Sequence, residues 1–320
     1  MGDPLRVLYL GMLWDYGDPA RGTSFEENSF HAGLRAHPRV DVTHFDFMEL
    51  ERTLGRQAMN QQLLETVRDG DFDLLFYVPF TDQLEPDTVK SITAMDRPVT
   101  VAWGCDDHWR FEDYSRHWAP LFDWWVTTAR SAVPKFKAMG YRHVIKSQWA
   151  VEPTVYHPLD VPRDMPASFV GQPHGIRPQV LQWLAESGVP LAVFGFGWAG
   201  LESRITHEQM LEVFSRSKVC LNLSNASTMG EQQIKGRVFE VPGCRSLLLT
   251  DMADDLGSYY TPGEEIVVYD GADDLLEKIR YYIDRDEERE RIAEAGYRRT
   301  LAEHTWRHRF DAIFERVGLA

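Results

Sequence analysis

Arg237 and Glu240 stand three residues apart, just ahead of Pro242-Gly243 and an apolar run that ends at Asp251. On a helical turn that spacing puts both side chains on one face. A guanidinium can grip diphosphate oxygens as a fork, and a carboxylate can accept two hydrogen bonds from a ribose diol. Together they suit a sugar nucleotide; the plainer alternative is a surface ion pair on a short helix. A second group, Asp106-Asp107-His108, follows the apolar run Val99 to Trp103 directly. Acids at the carboxyl end of a strand lie where α/β sheets bind ligands. One of the two could take a proton or hold a sugar hydroxyl while the other caps the next helix. Adjacent side chains diverge, and the HxxxH or CxxC type of spacing is absent here, so no bound metal is expected.

The elements that must position these groups alternate. Leu5 to Leu10 reads as a strand, followed by a glycine-containing loop, Met12 to Thr23, a helix from Phe25 through Leu34 and a strand at Val40 to Phe45. That is a βαβ unit, without a GxGxxG or GxxxxGK fingerprint. Helices are expected at Arg56 to Arg68 and Pro86 to Met95, and strands at Asp73 to Tyr77, Val99 to Trp103, Trp124 to Thr128 and Val144 to Lys146. The prolines from Pro153 to Pro166 cannot sit inside a regular element, so the interdomain linker is placed there. A second series then begins, with strands at Ala167 to Val170, Leu191 to Phe194, Val219 to Leu223, Ser246 to Thr250 and Glu265 to Tyr269. Arg177 opens a helix to Glu186, where free N–H groups and the helix dipole favour an anion. Gly195-Phe196-Gly197-Trp198 could let a planar base lie against backbone, or could be aromatic packing at a turn. The tail, Glu287 to Val317, is charged and helical, with breaks expected near Gly296 and at His304-Thr305.

With 320 residues, 43% hydrophobic and 26% charged, the chain has the composition of a soluble globular protein of two domains. Its net charge of −15 argues against broad binding to nucleic acid or anionic membranes, while leaving room for a local basic pocket. Three cysteines, Cys105, Cys220 and Cys244, suit a reducing cytoplasm better than a disulfide framework. No stretch approaches the roughly 20 apolar residues of a membrane span, and no signal peptide is legible at the start.

The second half resembles the glycosyltransferase domain of the CgeB-like (spore maturation protein) glycosyltransferases, relatives of glycosyltransferase family 4. The resemblance rests on Phe169-Val170-Gly171 with Arg177, Ser217 to Ser224, Arg237-Val238-Phe239-Glu240, Pro262 to Tyr269, Glu288-Arg289, Ile292 to Gly296, and His304-Thr305-Trp306 with Arg309. It implies an α/β, GT-B fold of two Rossmann-like domains facing across a cleft: an acceptor-side domain over 1–163, a nucleotide-sugar-binding domain over 164–304, and a final helix over 305–320 crossing back to the first. Trp306, Phe310 and Phe314 recur at four-residue spacing on one face, as such a helix requires. The implied activity is transfer of a sugar from a nucleotide-diphosphate sugar to an unidentified acceptor, retaining and metal-independent, with no cofactor beyond the co-substrate. The alternatives are a non-catalytic nucleotide-sugar-binding protein of the same fold and a nucleotide-sugar epimerase. Glu240 matches the second glutamate of family 4's EX7E motif; eight positions earlier stands Gln232, not glutamate. Donor contacts are expected from Gly171, Arg177, Gly197, Asn222, Ser224, Gln232, Lys235, Arg237 and Glu240, the diphosphate cations being among Arg177, Lys235 and Arg237. Asp106 and Asp107 are the catalytic candidates, as base in a directly inverting reaction.

Overall fold

Strands such as β3 (Leu74–Tyr77), whose four side chains are all buried, can lie only in a sheet covered on both faces, and the chain builds two of them. The computed structural model describes residues 3–198, 205–225 and 231–320. The first sheet holds β1 (Leu5–Leu10), β2 (Val40–Phe45), β3, β4 (Val99–Gly104), β5 (Trp124–Thr127) and β6 (Val144–Lys146), all parallel, in the order β2-β1-β3-β4-β5-β6. The second holds β7 (Met165–Val170), β8 (Leu191–Phe194), β9 (Ser217–Asn222), β10 (Leu248–Asp251) and β11 (Val267–Tyr269), in the order β8-β7-β9-β10-β11. The strand order of each sheet, not the strand direction, reverses once, between β1 and β3 and between β7 and β9. Such switch points open a crevice at the strands' carboxyl ends.

Two units follow: residues 1–148 with 306–320, and residues 149–305. The division precedes the proline-rich stretch expected to be the linker, which belongs to the second unit. Trp149 Nε1 donates to Ile234 O at 2.9 Å, Val151 N donates to His304 O at 3.0 Å, and Arg163 reaches the carbonyls of Ser215 and Ser217. Prolines here supply stiff, extended backbone that packs rather than a free tether.

The last helix, Trp306–Val317, completes the first unit, and Trp306, Phe310, Ile313 and Phe314 are buried. The Trp306 ring lies 4.4 Å from Phe30 and 5.6 Å from Trp103, and Phe310 lies 5.5 Å from Phe76, centroid to centroid. Before it, helix Asp286–Glu303 runs unbroken through Gly296, where a break was expected. That glycine is there for close approach: a Cβ on it would stand 2.3 Å from the Glu265 carbonyl oxygen. The helix Phe47–Leu54, capped by the Asp46 carboxylate, has no counterpart in the expected elements.

Candidate functional site

In the second unit the switch point lies between Val170 and Asn222, and the expected cations converge on it. Arg237 starts the helix Arg237–Gly243 and its Nε donates to the Val170 carbonyl at 3.2 Å. Arg177, at the head of the helix Arg177–Glu186, feels the Arg237 charge. Burial first, and then that repulsion, push its guanidinium down to about 10. His174 lies beside Arg177 and Lys235, and burial followed by those two charges lowers its pKa. Three basic side chains thus lie around the loop that leaves β7, and His174 is part of that loop. The loop is drawn tight by Gly195, whose φ of +127° excludes a side chain and whose Cβ would stand 2.3 Å from the Gly171 oxygen. Trp198 Nε1 donates to that same oxygen at 2.7 Å, while Gly197 turns past Pro173 with φ +93° and Phe196 is exposed.

Several expected donor contacts are committed inside the protein instead. Arg177 is buried and spends its donors on Gln172 O (3.1 Å), Leu223 O (2.9 Å) and Asn225 Oδ1 (2.9 Å). It fastens the β7 and β9 loops together, contributing charge rather than an open fork. Asn222 and Ser224 are buried too. The Asn222 amide donates to Thr250 Oγ1 at 2.9 Å and to Ser224 Oγ at 3.5 Å, tying β9 to β10. Glu240 is wholly buried: Oε2 accepts from Arg237, Tyr156 lies close by, and Oε1 is without a hydrogen-bond partner among the described residues. Expected as an open ribose acceptor, it is an internal anchor for Arg237.

Sequence reasoning passed over Asp251. At the end of β10 it accepts Ser224 N on Oδ1 at 2.9 Å and Gln232 Nε2 on Oδ2 at 3.1 Å, and burial raises its pKa. Asp251 and Gln232 line a cavity of about 1020 Å³ together with Ile176, Trp183, Met252 and Tyr269. Its size is that of a pocket for a nucleotide-sized ligand. The Thr-Asp pair closing an apolar run, at a strand's carboxyl end, was the available signal.

In the first unit, Asp106 and Asp107 follow β4 and separate at once. Asp107 is buried, accepting from Ser115 Oγ and, at 2.9 Å, from Trp125 Nε1. It is a structural carboxylate, not an accessible base, and Gly104 leaves the space for it, since a Cβ there would meet Asp107 at 2.5 Å. Asp106 remains partly exposed and its carbonyl starts the next helix, accepting from Trp109 N and Arg110 N. Glu26, beside Asp15 and Asp106, is pushed up to about 7, chiefly by burial.

Residues 177–315 match a family model described as glycosyl transferase-like. The chain is 20% identical to the spore protein CgeB of Bacillus subtilis over 289 residues, which is 82% of this chain and 87% of that protein. Anabaena HepE, solved with UDP and glucose, superposes with a TM-score of 0.69 at 12% identity, over 99% of this chain and all of the other. The sucrose-phosphate synthase of Thermosynechococcus elongatus does so with 0.64 at 10% identity, over 98% and 99% of the two chains. The fold is GT-B, and within it residues 177–315 carry a glycosyl transferase-like domain. Among the described residues no helix is long and apolar enough to cross a membrane.

Proposed function

We propose that the protein transfers a sugar from a nucleotide-diphosphate sugar held by its second unit. The carrying observation is the convergence of Arg177, Lys235 and Arg237 on the loop after β7, beside the cavity lined by Gln232 and Asp251. An acidic protein that gathers cations at a sheet's switch point has built a place for a phosphorylated ligand. HepE, similar in fold, was solved with UDP-glucose, which makes a uridine diphosphate sugar the first donor to try. Breaking the anomeric carbon–phosphate bond places negative charge on the departing diphosphate. Fixed cations stabilise that charge without a metal ion at the phosphates. In this reading the reaction is retaining, with the leaving phosphate itself taking the acceptor proton. Asp251 restores a carboxylate beside Gln232, where the EX7E motif lacks its first acid. Direct inversion with Asp106 as base is the second reading, favoured by that acid's partial exposure at the end of β4.

A panel of nucleotide sugars, followed by release of free nucleoside diphosphate and by the anomeric configuration of the product, tests this. Turnover in protein freed of divalent metals, unchanged by added magnesium or manganese and lowered about 100-fold by Arg237→Ala, is expected, a loss of about 2.7 kcal/mol of transition-state stabilisation. Binding without turnover across the panel would identify a non-catalytic sugar-nucleotide binder instead.

A further inference from the structure

The first unit carries a cluster to which the donor reading gives no role. Glu27 and His31 face the same way across the π-helical turn Glu27–His31, and His44 reaches them from the neighbouring β2, where it pairs with Tyr9 of β1. One donor atom from each of the three lies within 4.8 Å of the others. The Glu27 and His31 side chains are only 12% and 11% exposed, and His31 Nδ1 meets Glu27 Oε2 at 2.7 Å. The Tyr9 ring forms the floor, stacked on His31 at 5.3 Å with an 8° tilt and lying 5.3 Å from His44.

We propose that Glu27, His31 and His44 bind a divalent transition-metal ion, of which zinc is the type. The donor set is two imidazoles and a carboxylate, the borderline mixture that suits zinc and not magnesium or calcium, which prefer oxygen alone. His44 already has the outer arrangement of a metal-bound histidine. Its Nε2 donates to the Gly11 carbonyl at 2.8 Å, which leaves Nδ1 as the lone-pair nitrogen and fixes the ring's orientation. The ion replaces the proton shared by His31 and Glu27, draws the donor atoms inward to about 3.3 Å separations, and leaves its fourth position to water. Arg35, whose Nη1 lies 3.9 Å from Glu27 Oε1, is the native competitor and swings out to solvent. Bound there, the ion pins the helix that follows the first loop to the sheet's edge strand. This site is built of first-unit residues alone and does not depend on the donor reading.

The full chain, stripped by a chelator and dialysed, is titrated with zinc chloride alone by calorimetry. One tight equivalent is expected, weakened at least about tenfold by Glu27→Gln, His31→Asn or His44→Asn and unchanged by His117→Asn, which alters an exposed ring. Cobalt provides a reading on the unaltered protein that no folding failure can blur. A four-coordinate site gives intense visible bands, whereas a six-coordinate surface site is pale. The absence of a tight equivalent, equal zinc uptake by His44→Asn, or a pale cobalt spectrum would each overturn the proposal.

Discussion

Asp251 shows how burial sets the chemistry of one carboxylate. Its two oxygens are held by Ser224 N and Gln232 Nε2, and its pKa stands above the ordinary 3.8 because burial disfavours the charge. If the ionised form accepts a donor hydroxyl, affinity falls as pH drops through that raised pKa, earlier than for an exposed aspartate. Folding runs the opposite way: the folded state holds this proton more tightly than the unfolded one, so Asp251's contribution to stability rises as pH falls through the same window. Asp251→Asn should therefore weaken donor binding by about 1–3 kcal/mol at neutral pH, the cost of a lost charge-assisted hydrogen bond, and should flatten the acid limb of the binding profile. Calorimetry with a nucleoside diphosphate and with the whole nucleotide sugar, from neutral to acid pH, checks both. An Asn variant that keeps the wild-type affinity would remove Asp251 from the site.

The elements were legible where burial leaves a continuous mark. Parallel strands covered on both faces are unbroken apolar runs, as at Leu74–Tyr77 and at residues 248–250, and the helix Arg177–Glu186 announces its start with Arg177-Pro178. The roles of particular polar side chains were not legible, because each is decided by a partner far along the chain. Asp107 is claimed by Trp125, Asn222 by Thr250, and the third member of the Glu27 and His31 cluster arrives from β2. The aromatic stripe of the final helix was legible, since four-residue spacing is local, and its contacts yield a prediction. Phe310→Ala, next to Phe76 and Trp306, should destabilise the first unit by about 3–5 kcal/mol. Thermal unfolding monitored by tryptophan fluorescence reads this, since Trp103 and Trp306 sit in the affected core. A shift within error would mean that the helix is held by its ends rather than by this face.

For the whole molecule, a net charge of −15 surrounds a small group of cations. At long range an anionic donor is repelled; within a few ångströms it meets Arg237 and Lys235. Salt screens the first effect more than the second, because the Debye length is about 10 Å at 0.1 M. The association rate of a nucleotide sugar, measured by stopped flow, should rise roughly several-fold as salt increases from low to physiological strength. A fall would show that the cations dominate the distant field as well. The discontinuity of the first unit has a consequence in time as well as in space. Its sheet is finished by residue 148, yet Trp306 and Phe310, which cover Phe30, Phe76 and Trp103, come only after the contiguous second unit. At about 5–20 residues per second, a ribosome needs roughly 8–30 s to cross that interval. For that time a nascent chain holds an aromatic face open to water and to its neighbours, and the second half of the protein, though made later, is the first that can close its core.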